Sequence, residues 1–349
     1  MFCAALLLPT AAACGGGEST EAVEGPPVGS VATGVRFPTP ATISPDGRWL
    51  GYLDGRDTVC VLELVEAAEP ACGTSEVLGG DSLVWSADSE RLVTGFDLIR
   101  FRATRPLVVE RDGSLIGRGG DVTEDDTIVE GAAAFVGDDV VYVRLELGSE
   151  VAEVMVDSAD GLRVVAEVPA GEVTLWPPVV DDDRALLALG RSDEARTVVV
   201  DLDSGDLTEI PGLEGLIVVE TAGSTALAID EQVLGLVSDE PIFSIADLEN
   251  DGAPVPITRE SLRARGAALS TDGELLAVVW TDPSGPIDSA VLSVATVDSV
   301  RSGDAEWTDT EIGGAGPIID GHRRMRWTSA TTVTMAVDDA VVTFDVGAP

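Results

Sequence analysis

The sequence predicts an all-β fold in which short strands form a ring of small sheets, and three observations support this prediction. Short apolar or alternating runs, rich in Val, Leu and Thr, are separated by Asp, Gly, Ser and Pro from residue 28 onward. Helical periodicity is almost nowhere sustained, which leaves a sandwich, a barrel or a propeller. A strand-turn-strand unit also recurs along the chain, and internal repetition of this kind favours the β-propeller.

Three copies of the repeated unit are clear, at residues 42–52, 83–93 and 268–277. Each copy has an apolar strand, a turn that contains Ser and Asp, and a second apolar strand. Asp can hydrogen-bond the backbone ahead of it and Gly accepts a positive φ, so turn geometry explains these residues without catalysis. The Ser-Pro-Asp-Gly turn at residues 44–47 resembles the repeat of TolB-like propellers, and this resemblance implies blades of four strands.

Four weaker copies fill the intervals between the clear ones and bring the number of units to seven. Blades of four strands need about 40 to 45 residues each, and the observed spacings allow for longer loops. Six or eight blades remain alternatives, because the middle repeats are degenerate. The residues that mark the seven turns are Asp46, Asp88, Asp138, Asp182, Ser224, Asp272 and Ala330.

The two ends of the repeat region are expected to meet in one blade. The last unit has only three strands, whereas the apolar residues Val28, Val31, Val35 and Phe37 precede the first unit and belong to no unit of their own. An outer strand from this segment would complete the last blade and pair an otherwise exposed sheet edge. We therefore expect a single propeller domain over residues 28–349.

The amino-terminal segment predicts a membrane anchor. Residues 1–13 are mostly apolar, and three alanines precede Cys14, which is followed by glycines. This pattern resembles a bacterial lipoprotein signal peptide, and the resemblance implies removal of residues 1–13, a lipid on Cys14 and a flexible tether over residues 14–27. Two acyl chains would hold the protein at the outer face of the cell membrane. An ordinary cleaved signal with a coincidental cysteine is the alternative.

The extracytoplasmic location suggests how the remaining cysteines of the mature chain are used. Cys60 lies in a strand-like run and Cys72 follows a turn-like stretch, so a hairpin would place them opposite each other. An oxidising compartment favours a disulfide between them, and two free buried thiols are the alternative. Zinc is not expected, since two cysteines without a nearby histidine supply half of a tetrahedral site.

The charge of the chain excludes nucleic acid as a partner. There are 62 Asp and Glu against 21 Arg, no Lys, and a formal net charge of −41. Binding a polyphosphate requires a basic surface that this chain does not have. The acidity favours a soluble monomer and is also explained by a saline habitat or a GC-rich genome. The single histidine, His322, limits any mechanism that depends on imidazole.

The clustering of the scarce arginines predicts an anion site. Segments that lead into innermost strands converge at one mouth of a propeller channel, where arginines could hold a carboxylate or phosphate. Pairing with the abundant local carboxylates is the alternative. The candidate anion-binding residues are Arg36, Arg263, Arg265, Arg323, Arg324 and Arg326.

A weak calcium candidate lies at Asp247, Glu249 and Asp251, whose spacing matches the opening of a calcium loop. The rest of that loop does not match, and a hairpin turn explains the stretch equally. We predict no other metal site and no cofactor.

We expect a non-catalytic, lipid-anchored binding or scaffolding propeller of the cell envelope, whose partner is an envelope protein or a glycan. The alternative is a carboxylate-dependent glycan hydrolase or lyase with two acids in the central funnel. Four acids that precede predicted first strands are candidates for it, Asp81, Glu130, Glu172 and Asp320.

Overall fold

The chain forms a seven-bladed β-propeller, in which every blade is an antiparallel sheet of four strands. This confirms the predicted fold class. The structure is a computed structural model, and it describes residues 29–34, 40–55, 57–76, 82–95, 104–120, 127–174, 176–190, 194–230, 241–249, 253–283, 290–312, 325–337 and 339–347. The innermost strand of each blade comes first in its repeat, and later strands lie progressively further from the axis.

Blades 1 to 3 follow one another along the chain, each built from four consecutive strands. Blade 1 consists of β2 (Ala41–Ile43), β3 (Trp49–Leu53), β4 (Thr58–Glu63) and β5 (Ala71–Thr74). Blade 2 consists of β6 (Leu83–Trp85), β7 (Arg91–Thr94), β8 (Leu107–Glu110) and β9 (Leu115–Gly117). Blade 3 consists of β10 (Ile128–Val136), β11 (Asp139–Glu146), β12 (Val151–Ser158) and β13 (Gly161–Pro169).

Blades 4 to 6 repeat this order, and their described residues include short helical segments as well as strands. A 3-10 turn, Ala170–Glu172, leads into blade 4, and helix α1, Val297–Ser302, lies in blade 6. Blade 4 consists of β14 (Val179–Asp181), β15 (Arg184–Leu189), β16 (Arg196–Asp201) and β17 (Leu207–Glu209). Blade 5 consists of β18 (Leu216–Ala222), β19 (Thr225–Asp230), β20 (Phe243–Asp247) and β21 (Val255–Pro256). Blade 6 consists of β22 (Arg263–Leu269), β23 (Leu275–Thr281), β24 (Ala290–Thr296) and β25 (Thr308–Glu311).

Blade 7 takes its outer strand from the amino-terminal side of the chain. It consists of β26 (Met325–Trp327), β27 (Thr332–Val337), β28 (Ala340–Asp345) and β1 (Gly29–Ala32). β1 runs antiparallel to β28, with Val31 opposite Val341, and the Thr33 amide donates to the Asp339 carbonyl at 2.8 Å. The predicted closure of the ring is therefore confirmed.

The turn that identified the repeat has the predicted geometry. In blade 1 the Ser44 hydroxyl donates to Asp46 Oδ1 at 2.6 Å, and the same oxygen accepts the Arg48 amide at 3.0 Å. Equivalent bonds occur around Asp88 and Asp272. The aspartates therefore hold the backbone of the turn, which is the structural role expected of them.

The same turns join neighbouring blades. Ser89 adopts a φ of +63° where the other two copies have Gly, and its hydroxyl accepts the Asp46 amide of blade 1 at 3.0 Å. Gly47 has a φ of +69°, and a Cβ there would lie 2.7 Å from the Thr328 side chain of blade 7. Close packing of successive turns thus positions the inner ends of the blades around the channel.

The disulfide in blade 1 confirms the predicted cysteine pair. Cys60 of β4 and Cys72 of β5 are direct cross-strand partners, and their sulfur atoms are bonded. Cys60 is fully buried, so the link ties the outer strand of the blade to its core.

Candidate functional site

A cavity of about 420 Å³ occupies the central channel of the ring. The turn residues Ala87, Gly137 and Thr271 line it, so it reaches the face on which the first turns of the blades lie. Every innermost strand contributes to its wall. One wall residue from each of blades 1 to 7 is Ile43, Trp85, Phe135, Val180, Glu220, Leu269 and Arg326.

Two tryptophans fix the wall of the cavity by bonding across blade boundaries. The Trp85 indole N–H of blade 2 donates to the Thr42 carbonyl of blade 1 at 3.1 Å. The Trp327 indole of blade 7 makes the equivalent 3.1 Å bond to the Ala268 carbonyl of blade 6. Because both rings are buried and hydrogen-bonded, the polar groups nearby are held on a rigid frame.

Glu220 is the acidic residue among the described residues that line this cavity. It follows a β-bulge in β18, where the register with β19 shifts between Val218 and Glu220. Bulges of this kind change the direction of the following side chains and occur often beside functional sites. Glu220 Oε2 accepts the amide N–H of Leu269 on β22 at 2.9 Å.

Burial raises the pKa of Glu220 to about 7, although the Leu269 amide and the positive charge of Arg326 both act to lower it. The ionised carboxylate loses more hydration than these two partners replace. Glu220 therefore changes its protonation state near neutral pH.

Arg326 brings a positive charge into the same cavity. It lies in β26 between Met325 and Trp327, both of which are buried against blade 6. Burial lowers the pKa of Arg326, and the negative charge of Glu220 acts in the opposite direction. Its guanidinium makes no direct hydrogen bond or ion pair with the part of the chain that the structure describes.

The other predicted anion-binding arginines are not all brought to this cavity. Arg263 and Arg265 are part of β22 and do not precede it as expected from the sequence. Arg263 lines a second cavity of about 370 Å³ between blades 5 and 6, and Arg265 donates to the Thr281 hydroxyl at 3.1 Å. Arg36, Arg323 and Arg324 lie outside the described residues.

Several other arginines pair with local carboxylates. Each of these ion pairs joins an arginine to an acid of the same or a neighbouring blade. They include Arg48 with Glu63, Arg91 with Asp138, Arg184 with Asp181, Arg196 with Glu172, and Arg259 with Asp309. Arg326 differs from this group, because Glu220 acts on it through its charge and the two residues form no direct ion pair.

The acids proposed for glycan chemistry have other environments. Glu130 lies inside β10, not before it, because this innermost strand begins earlier than the sequence suggested. It is fully buried and accepts the Gly120 amide at 3.0 Å, and burial raises its pKa. Glu172 forms an ion pair with Arg196. Asp81 and Asp320 lie outside the described residues.

The calcium candidate is described only in part. Asp247 Oδ1 accepts the Glu249 amide at 3.0 Å in a local turn, and Asp251 lies outside the described residues. Those residues contain no group of three or more His, Cys, Asp and Glu side chains arranged to hold a metal ion. Within the same ranges no helix has the length and hydrophobicity of a membrane span. Cys14 and residues 1–27 are likewise outside the description.

The sequence interpretation missed Glu220, although a signal for it is present. It is the lone charged residue in the seven residues of β18, which are otherwise apolar or small. Burying an unpaired charge between blades is unfavourable. A single acid in an innermost strand is therefore expected to point into the channel or to form a hydrogen bond or ion pair.

Comparison with known proteins identifies the fold. No known protein family and no curated protein sequence matches the chain. The WD40 repeats of RRP9 align over 89% of this chain and 96% of their own length, with 12% identity and a TM-score of 0.56. U3-55K aligns over 92% of this chain and 100% of its own length, with 12% identity and a TM-score of 0.54. Prolyl oligopeptidase B from Galerina marginata aligns over 80% of this chain with 12% identity and a TM-score of 0.52, and the alignment spans 43% of that enzyme. The chain thus has a β-propeller fold found both in WD40 repeats and in an oligopeptidase.

Proposed function

We propose that the protein is a non-catalytic binding module whose central channel holds an anionic group of its ligand against Arg326. One observation carries this proposal: Arg326 lines a cavity of about 420 Å³, and its guanidinium has no direct hydrogen bond or ion pair with the described residues. Arg326 is partly buried, and partial removal of a cation from water without a partner of its own is unfavourable. A carboxylate can satisfy a guanidinium with two parallel hydrogen bonds, so a ligand of this type fits the site.

The channel wall supports a ligand that also has an apolar part. Phe135, Trp176 and Pro178 line the cavity together with Arg326. Small-molecule sites are commonly of this size, mostly apolar, and carry a few polar groups that fix the orientation of the ligand. A carboxylate joined to an aromatic or aliphatic body has the matching chemistry.

A binding role agrees better with the described channel than hydrolysis of a glycan does. Glycosidases of the two-acid type need a pair of carboxyl groups about 5 to 9.5 Å apart. Glu220 is the one carboxylate among the described lining residues. The described part of the channel therefore has one acidic side chain, Glu220, and one cationic side chain, Arg326. This arrangement is suited to holding a charged group of a ligand.

We place this activity at the cell envelope. The proposal rests on the lipoprotein-like sequence around Cys14 and is supported by the Cys60–Cys72 disulfide, since such bonds persist in oxidising compartments. The proposed partner is an envelope protein or a glycan that presents the anionic group to the channel.

Binding of benzoate, measured by isothermal titration calorimetry at pH 6, tests the role of Arg326. We expect Arg326→Gln to weaken binding at least about tenfold, because a charge-assisted hydrogen bond contributes roughly 1.5 to 3 kcal/mol. Arg48→Gln is the matched control, since Arg48 is exposed and pairs with Glu63 away from the channel. Equal affinity of the wild type and Arg326→Gln, or no binding of benzoate to the wild type, would contradict the proposal.

A further inference from the structure

Glu220 and Arg326 form an isolated pair of opposite charges in the channel. Glu220 is on blade 5 and Arg326 on blade 7, both line the central cavity, and each charge shifts the pKa of the other group. No other Arg, Asp or Glu is among the described residues that line this cavity. The charge available to a ligand at Arg326 therefore depends on whether Glu220 is ionised.

The elements packed against β18 bring few other charges near Glu220. On β19, Asp230 is paired in register with Leu216, at the opposite end of β18. On β22, Arg263 and Arg265 lie at the start of the strand, whereas Leu269, which bonds Glu220, is at its end. These placements leave Arg326 as the charged group that acts on Glu220.

Three strands of the neighbouring blade 4 also contact β18, and their charged residues have partners of their own. Asp181 at the end of β14 forms an ion pair with Arg184 of β15, and Arg196 of β16 forms one with Glu172. Asp201, at the far end of β16, accepts the Ser204 amide in its own turn. Arg326 on β26 is the remaining charge that faces the cavity from blade 7.

The hydrogen bond to Glu220 leaves one of its oxygens available. Oε2 accepts the Leu269 amide, and Oε1 has no hydrogen bond with residues in the described ranges. A protonated carboxyl group has one O–H donor, and its other oxygen still accepts. Oε2 can therefore keep its bond to Leu269 while Oε1–H donates to an oxygen of a ligand in the cavity.

We infer that the channel binds a carboxylate ligand together with one proton, which Glu220 Oε1 carries while Arg326 binds the carboxylate. This inference rests on the proposed function, because it requires an anion at Arg326. The proton comes from solvent and no covalent bond changes. In the opposite state, ionised Glu220 neutralises Arg326 and repels the ligand.

The inference gives a specific pH dependence. Because the pKa of Glu220 in the ligand-free protein is about 7, the fraction of protein with protonated Glu220 falls about tenfold for each pH unit above that value. The association constant for a carboxylate should fall in the same proportion, by about 90-fold between pH 6 and pH 9. Binding above pH 7 should take up about one proton.

Benzoate remains ionised over this range, so it serves as the probe. We would measure its affinity calorimetrically from pH 6 to pH 9, in buffers of different ionisation enthalpy that report proton uptake. Glu220→Gln keeps an acceptor for the Leu269 amide and mimics the protonated state. We expect this variant to bind benzoate with little pH dependence and no proton uptake. Glu172→Gln removes an acid that pairs with Arg196 and is absent from the described lining, so it should keep the wild-type profile.

The possible results separate the two proposals. Benzoate binding that needs Arg326 but does not change with pH would overturn the role of Glu220 and leave the proposed function intact. Equal pH dependence in the wild type and Glu220→Gln would overturn it as well. Absence of binding at every pH would overturn both.

Discussion

Glu220 should also destabilise the folded protein in a pH-dependent manner without any ligand. Its pKa is raised from an ordinary value of 4.5 to about 7, so the folded state keeps this proton over a range in which the unfolded state has lost it. The contribution of protonated Glu220 to the free energy of unfolding is fully present below pH 4.5 and is lost as the pH rises through 7. One pKa unit corresponds to about 1.4 kcal/mol, which gives a total of about 3 kcal/mol, of which about 2.5 kcal/mol falls between pH 5 and pH 8.

The variant Glu220→Gln removes this penalty, and urea unfolding at pH 5 and pH 8 would measure it. We expect the free energy of unfolding of the variant, relative to the wild type, to increase by about 2.5 kcal/mol between the two pH values. Glu172→Gln should change by no more than about 0.5 kcal/mol, since its ion pair with Arg196 is partly exposed. A constant difference between Glu220→Gln and the wild type, or a decrease with rising pH, would refute the assignment of a raised pKa to Glu220.

Three further predictions concern the ring and its anchor. Deletion of residues 29–34 should lower the free energy of unfolding by about 2 kcal/mol, because β28 loses the strand that pairs with it. The effect is small because the side chains of β1 are mostly exposed. An unchanged urea midpoint would refute the closure argument. Replacing both Cys60 and Cys72 by Ala should cost about 3 kcal/mol through the lost loop constraint, and dithiothreitol should bring the wild type to a similar midpoint; full stability of the double variant would count against this. Changing Cys14 to Ser should release the protein from membranes into the medium in a fractionation assay, whereas continued sedimentation with membranes would count against lipidation.

The repeat turns and the ring closure were predictable from sequence because their causes are local or follow from pairing. Asp46 and Gly47 are chosen by the turn itself, since Asp46 accepts the Arg48 amide and Gly47 has a positive φ. Each turn is formed by a few residues that are adjacent in the sequence. The amino-terminal strand was predictable because a third strand, β28, would otherwise present an open edge. Ser89 replaces Gly in the second copy, where the bonds around Asp88 keep the turn and the Ser89 hydroxyl accepts the Asp46 amide of the neighbouring blade.

The candidate site was only partly predictable, because it depends on distances around the ring. Arg326 was identified as a rare cation near an innermost strand, but its relation to Glu220 crosses two blade boundaries and leaves no sequence spacing to read. A bulge in β18 changes where Glu220 points, and bulges are not visible in a period-two pattern. The expected position of Glu130 was wrong because β10 is longer than its apolar run suggests. The strand has nine residues and begins at Ile128, so Glu130 lies inside it and not before it.

The most direct test of the central claim is a crystal structure of the protein with benzoate at pH 6. We predict that the benzoate carboxylate binds the Arg326 guanidinium in the central channel, with Glu220 Oε1 within hydrogen-bond distance of the same carboxylate. Benzoate bound outside the channel, or a channel in which Arg326 contacts protein groups and excludes the ligand, would contradict the account.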